Sequence, residues 1–195
     1  LYPYKELIEN DALPSIMSSY NAVNHEPTSA SELYLDTIAR KTYGLDGYVT
    51  GDCEAIEDIF SGHYFADSRE EATAEGLKAG VDSDCGSVYQ RYVISAYEKG
   101  LISMAEIDRA LVHTFKVRMR TGEFDPDPMV PYSLYPVSTV NSEKNQALAM
   151  ETATRTIVLL KNENVTGTSD KALPIDLTKV KSIALIGPQA DKVEL

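Results

Sequence analysis

The chain has 195 residues, 43% of them apolar and 25% charged, and carries a net charge of −12 at pH 7. That composition belongs to ordinary globular proteins and suffices for one domain or parts of two. The acidic balance weighs against a nucleic-acid partner, which needs a lysine and arginine surplus, and against an anionic membrane surface; no run of ~18 apolar residues spans a bilayer.

In chain order, the opening LYPYKELIEN has no Met, basic region or apolar stretch, so it contains no visible signal peptide and reads as the interior of a longer protein. SIMSS, residues 15–19, follows Pro14 as a short strand would. SASELYLDTIARKTYG predicts a helix, with Leu33, Tyr34 and Ile38 at helical spacing and Gly44 as its stop. YVTG is the next strand. SREEATAEGLKAG is a helix with Ser68 as N-cap, acids in its first turn, and Lys78 and Gly80 at its end. VDSDCG is a third strand running into a polar loop, and SVYQRYVISAYEKG an amphipathic helix closed by Lys99 and Gly100. SMAEIDRALVHTFKVRMRTG opens with a capping-box pattern, Ser103 and Glu106, and closes at Gly122.

Residues 123–140 hold four prolines and no sustained period, so they read as an extended linker. A helix follows over residues 142–155. TIVLLKN and KSIALIGPQAD then read as two apolar strands of a parallel sheet covered on both faces. The fold class is α/β: three β-α units, a linker and the start of a second α/β domain. Three units do not close a barrel, so the chain is expected to be part of a larger assembly of the same polypeptide.

Functional groups of parallel α/β folds gather where strands end. The three strand ends deliver Tyr20, Asn21, Asn24 and His25; then Asp52, Cys53 and Glu54; then Asp82, Asp84 and Cys85. Tyrosine, amide and carboxylate groups at one rim suit a polyhydroxylated ligand, and no glycine-rich phosphate loop occurs. Each residue also has a plainer use. Asp52 is a natural N-cap for CEAIEDIF, and Asn21 and Asn24 are natural turn formers. Cys53 and Cys85 suit inert buried thiols as well as a bridge. His25 and His63 lack a metal-ligand pattern, so no metal is expected, and His113 sits mid-helix as a structural residue. The triplet Asn164-Val165-Thr166 matches the N-glycosylation pattern once, which by itself carries little weight.

The segment IMSSYNAVNHEPTSASELYLDTIARKTYGLDGYVTGDCEAI resembles the end of the catalytic barrel of glycoside hydrolase family 3. AEGLKAGVDSDCG, ISMAEIDRAL, RMRTGEFD and ATRTIVLLKNE…LP…IALIGPQAD resemble later segments of that family in the same order. The resemblance implies the C-terminal part of a (β/α)8 TIM-like barrel over residues 1–122. It implies an interdomain linker over 123–140 and the beginning of an α/β sandwich domain over 141–195. It also implies a retaining glycosidase without a cofactor, with Asp52 as the nucleophile. Tyr20 then supplies a hydrogen bond near Asp52, and Asn24 and Glu54 contact the substrate. Members resembling glucosidases usually carry Trp after the nucleophile. Cys53 here, with DSDCG later, is similar to the β-xylosidase branch, where the two cysteines are thought to bridge and leave a site shaped for a pentose. Their separation of 32 positions makes such a closure worth about 3–4 kcal/mol on the chain-entropy model. A bridge implies an oxidising compartment, hence a secreted or periplasmic protein. Two positions depart from the family pattern: Gly51 stands where Ser is common, and His25 where Gly is common.

The resemblance thus implies an exo-acting β-1,4-xylosidase releasing xylose from xylo-oligosaccharides in xylan degradation. The same resemblance implies that the acid/base lies beyond Leu195 and the sugar-binding Lys and His upstream of Leu1, so residues 1–195 alone are expected to be inactive. The alternatives are a β-glucosidase or α-L-arabinofuranosidase of the same family, or a non-catalytic carbohydrate-binding protein on the same fold.

Overall fold

Helix α1 (Tyr2–Glu9) leads into β1 (Ile16–Met17), and a hairpin of β2 (Ala22–Val23) and β3 (Glu26–Pro27) follows. The computed structural model describes residues 1–188 and 190–192. Neither α1 nor the hairpin is evident in the sequence pattern. The hairpin turns at Asn24 and His25, whose φ angles of 52° and 70° are the left-handed pair of a two-residue turn. The next helix, Leu33–Thr42, is wound more widely than an α-helix, with the Tyr43 N–H reaching the Ile38 carbonyl five residues back. It ends where expected, at Gly44 with φ +84°.

Strand β4 (Val49–Gly51) then gives way to α2 (Ala55–Ser61) and α3 (Arg69–Ala79). Ser68 Oγ accepts the Glu71 N–H at the start of α3, and Gly80 closes it at φ +110°. Strand β5 (Ser83–Asp84), α4 (Val88–Glu98) and α5 (Met104–Arg120) complete the series. The capping box of α5 is fully formed, with Ser103 and Glu106 satisfying each other's backbone N–H groups.

The three longitudinal strands form a parallel sheet in the order β1-β4-β5, with Ile16 opposite Val49, Met17 opposite Thr50 and Gly51 opposite Asp84. Val49, Ile56, Ile59, Val81 and Val88 are fully buried between sheet and helices, each contributing about 1.5–3 kcal/mol by leaving water. A second cluster, Ala74, Leu77, Ala96, Ile102 and Ala110, joins α3, α4 and α5. Gly47, just before β4, cannot be replaced: a Cβ there would stand 1.6 Å from the Pro14 carbonyl oxygen.

One buried charge ties the sheet to its helices. The Asp82 side chain is 1% exposed. Its Oδ2 accepts from the Arg40 guanidinium and from the Val49 N–H at 2.8 Å, and its Oδ1 accepts from His113 Nδ1 at 2.9 Å. A carboxylate only accepts, so the His113 proton sits on Nδ1. Arg40 also donates to the Gly47 carbonyl at 2.7 Å. Asp82 therefore does not stand at the rim with the other strand-end acids. The cation on the Leu33–Thr42 helix draws it inward. His113 is structural, as its mid-helix position suggests.

The chain divides into two compact units, Leu1–Leu134 and Tyr135–Leu195. Residues 123–140 contain three single turns of 3-10 helix, Asp127–Met129, Pro131–Leu134 and Val137–Thr139, where a wholly extended linker was expected. Helix α6 (Glu143–Thr156) forms as expected. The two apolar strands do not: residues 157–163 and 181–188 belong to no strand, and Ile157, Leu160, Ile183 and Ile186 are exposed. A parallel strand exists only when neighbours take up its backbone groups, and among the described residues none does so. Asn164 and Lys171 form an isolated antiparallel bridge between the two runs.

Replacing Arg40 leaves the buried Asp82 side chain without its cation. Arg40→Ala is expected to lower the unfolding free energy by about 3–5 kcal/mol, read from the urea midpoint at neutral pH. Arg40→Lys recovers only part of this, because a point charge cannot reach Gly47 and Asp82 together.

Candidate active site

Asp52 follows β4 directly and is half-buried. Its Oδ1 accepts the Cys53 N–H at 2.7 Å. It does not cap α2. That helix starts at Ala55 with Glu54 at the cap position and no side-chain cap bond. The Asp52 carboxylate is thus not consumed by helix formation and retains accepting capacity for a ligand.

The segment after Asp52 is held from several directions. Cys53 and Cys85 form a disulfide, with Cα atoms 4.2 Å apart. The Glu54 N–H donates to the Cys85 carbonyl at 2.7 Å. Glu54 itself sits at φ +64°, a left-handed conformation that costs a non-glycine residue on the order of 1 kcal/mol or more and persists only under such constraint. The Tyr20 hydroxyl donates to the Cys53 carbonyl at 2.7 Å. His63 Nε2 in turn donates to the Tyr20 carbonyl at 2.6 Å, which fixes the other end of the residue. Partial desolvation, then the Asp52 carboxylate beside it, pushes the Tyr20 hydroxyl pKa upward, so it remains a donor at neutral pH.

Asp84 lies opposite Gly51 in the sheet. Its Oδ2 accepts the Val88 and Tyr89 N–H groups at 3.0 and 3.1 Å and so caps α4. Its Oδ1 is buried without a hydrogen-bond partner among the described residues. Burial raises the Asp84 pKa, the two backbone donors oppose that shift, and the Glu54 charge adds to it. Gly86 separates the two acids. A Cβ at 86 would lie 3.0 Å from Asp84 Oδ1 and 3.2 Å from Glu54 Oε2.

The structure therefore brings Tyr20, Asp52, Cys53, Glu54 and Cys85 to one place. Asn24 is different. It forms the hairpin turn, and among the described residues it makes no hydrogen bond to that group. Asn21 is likewise used locally, its Oδ1 accepting from Ser19 Oγ at 2.6 Å. The supporting roles of His63, Asp84 and Gly86 leave no local sequence signal, since each depends on a contact made across the fold. An apolar cavity of about 210 Å³ beside β1, lined by Tyr4, Ile8, Ile16, Tyr34 and Ile38 among others, does not include Asp52 or Glu54. Its surface is mainly apolar and its lining includes no Asp or Glu, so the acidic rim is the better candidate. Among the described residues no three of His, Cys, Asp and Glu assemble as a metal site, and no helix is long and apolar enough to cross a membrane.

Residues 1–117 match the family model described as the glycosyl hydrolase family 3 N terminal domain. The chain is 40% identical over 193 residues to "Probable beta-D-xylosidase 7" of Arabidopsis thaliana, across 98% of this chain and 24% of that protein. It is 37% identical over 190 residues to "Beta-xylosidase/alpha-L-arabinofuranosidase 2" of Medicago sativa subsp. varia, across 97% of this chain and 24% of that protein. It therefore spans about a quarter of the length of these relatives. Among solved structures it is similar to a GH3 exo-beta-xylosidase (XlnD) in complex with a xylobiose aziridine activity based probe. The TM-score is 0.69 at 35% identity, over 82% of this chain and 22% of that one.

Substitutions at Asp84 and at the disulfide test the geometry. Asp84 has a folded pKa above its unfolded value, so its contribution to stability is fully present below the unfolded pKa and is lost as pH rises through the folded one. Asp84→Asn keeps an oxygen for the α4 cap and removes the charge. It is expected to match or exceed the parent in urea midpoint at pH 7, with the difference shrinking as pH falls through the folded Asp84 pKa. Asp84→Ala, which loses the cap, should be less stable by about 1 kcal/mol. The double variant Cys53→Ser/Cys85→Ser is expected to lose roughly 3 kcal/mol of stability by the same denaturation assay.

Proposed function

The chain belongs to glycosyl hydrolase family 3, and from that premise we propose that it forms part of a retaining, exo-acting β-xylosidase that removes terminal xylose from xylo-oligosaccharides. Residues 1–122 are then the C-terminal part of its (β/α) barrel, 123–140 the interdomain linker and 141–195 the beginning of its sandwich domain. The observation that carries the reading is the position of Asp52. It stands at the C-terminal end of a parallel strand, free of any capping duty, beside a tyrosine donor and a disulfide.

In this reading the Asp52 carboxylate attacks C1 of the sugar and forms a covalent glycosyl-enzyme. The C1–O bond breaks as the departing oxygen takes a proton from a second carboxyl group, placed ~5–5.5 Å away as retaining enzymes require. That group then takes a proton from water, which attacks C1 and frees Asp52. The acid/base comes from polypeptide beyond residue 195, so residues 1–195 alone show no turnover. Tyr20 orients Asp52 and the sugar, and Glu54 and Asn24 supply contacts to hydroxyls. The bridge at Cys53 occupies the place of a bulky aromatic wall and favours a pentose over a hexose. The name of the Medicago relative, which joins xylosidase to α-L-arabinofuranosidase, favours a second activity on α-L-arabinofuranosides at the same site.

The complete protein carrying this chain tests the proposal. Asp52→Asn is expected to lower turnover of an aryl β-xyloside by at least ~10³-fold, the scale of losing the covalent machinery. A 2-fluoro xyloside should label the peptide containing Asp52. Label on any other peptide, or full turnover in the variant, overturns the assignment. Exclusion of the hexose hydroxymethyl group is expected to favour aryl β-xyloside over β-glucoside by roughly 10–200-fold in kcat/KM.

A further inference from the structure

We propose that Asn164 is an N-glycosylation site. The triplet Asn164-Val165-Thr166 has an asparagine, a residue other than proline and a hydroxyl at the required spacing, and none of the chain's other asparagines is followed by this pattern. Its local structure distinguishes it further. Asn164 opens an exposed loop closed by its bridge to Lys171 and by the Val165 N–H donating to the Asp170 carbonyl at 2.9 Å. Two positions earlier, Asn162 is fully engaged. Its Nδ2 donates to the Leu173 carbonyl at 2.8 Å and its Oδ1 accepts the Leu173 N–H at 3.2 Å.

The Asn164 amide makes no side-chain hydrogen bond among the described residues, and neither does the Thr166 hydroxyl. The Thr168 hydroxyl nearby does. The two groups a glycosyl transfer must use are therefore the two left free. The loop ENVTGTSDK is polar between apolar runs, the composition of a segment that stays at the surface in a larger protein. The Cys53–Cys85 bridge is a second, independent observation, because disulfides form in the same oxidising lumen where this modification is made.

The step is a group transfer. Asn164 Nδ2 bonds to C1 of an oligosaccharide carried on a polyprenyl diphosphate lipid, the C1–O bond to the diphosphate breaks, and the amide proton leaves with the diphosphate. Nothing in this step depends on Asp52 or on the glycosidase reading.

The full-length protein, secreted from a eukaryotic host, decides the matter. Peptides from molecules with Cys53 and Cys85 bridged are treated with peptide N-glycosidase in heavy-oxygen water, which turns a glycosylated Asn into a labelled Asp. The expected result is label at position 164. Thr166→Ala should abolish it and Thr166→Ser should retain it. Asn164 unlabelled in bridged protein, or labelled in Thr166→Ala, overturns the proposal. The wild-type mapping stands even if a variant fails to fold, and xyloside turnover measured on the same sample reports separately on the catalytic reading.

Discussion

A carboxylate hidden from water survives only if its surroundings satisfy it, and Asp82 is such a group. Its donors come from the Leu33–Thr42 helix through Arg40, from β4 through the Val49 N–H, and from α5 through His113. Each donor belongs to a different segment, so the charge fixes the distances among all three. The Asp82 N–H donates back to the Val49 carbonyl at 2.8 Å, which sets β4 against β5 in a single register. A slip of one residue would break the ion pair and send Val49 and Val81 to the wrong face. The placement of Asp52, three residues beyond Val49, follows from that register.

The rim is built differently from the floor beneath it. Below, burial and one ion cluster suffice. At the rim the chain turns sharply, and Glu54 adopts a backbone conformation it does not favour. The covalent tie to Cys85, the Glu54 to Cys85 hydrogen bond and the Tyr20 hydroxyl hold that turn together. Strain at such a point is retained when several contacts over-determine it. Gly86 completes the arrangement by leaving room for two acids that a methyl group would crowd.

Much of this is legible in the sequence where the signal is local. Ser103 and Glu106 announce a capping box, Ser68 an N-cap, and Gly44, Gly80 and Gly122 helix ends, because each feature is set by residues within one turn. The parallel strands are legible as short segments between helix patterns, SIMSS, YVTG and VDSDCG, although β5 itself is the polar pair Ser83–Asp84. Asp52, Cys53 and Glu54 are legible as groups at a strand end, since chain order alone brings them there. The pairing of Asp82 with Arg40 joins residues 42 positions apart, and no local pattern distinguishes Asp82 from Asp84. One turns inward to a cation while the other caps a helix. Apolar content likewise cannot separate a paired strand from an unpaired one, which is why residues 157–163 and 181–188 read as strands and are not.

Those two runs carry a consequence of their own. TIVLL and SIALI are short, uncharged and rich in β-branched side chains, the composition of segments that stack into cross-β zippers when left bare. Cations stand next to each, Arg155 and Lys161 on either side of the first, Lys179 and Lys181 before the second. Stacking copies in register would pile like charges on one another at every layer. Basic residues so placed oppose the self-association of bare apolar runs.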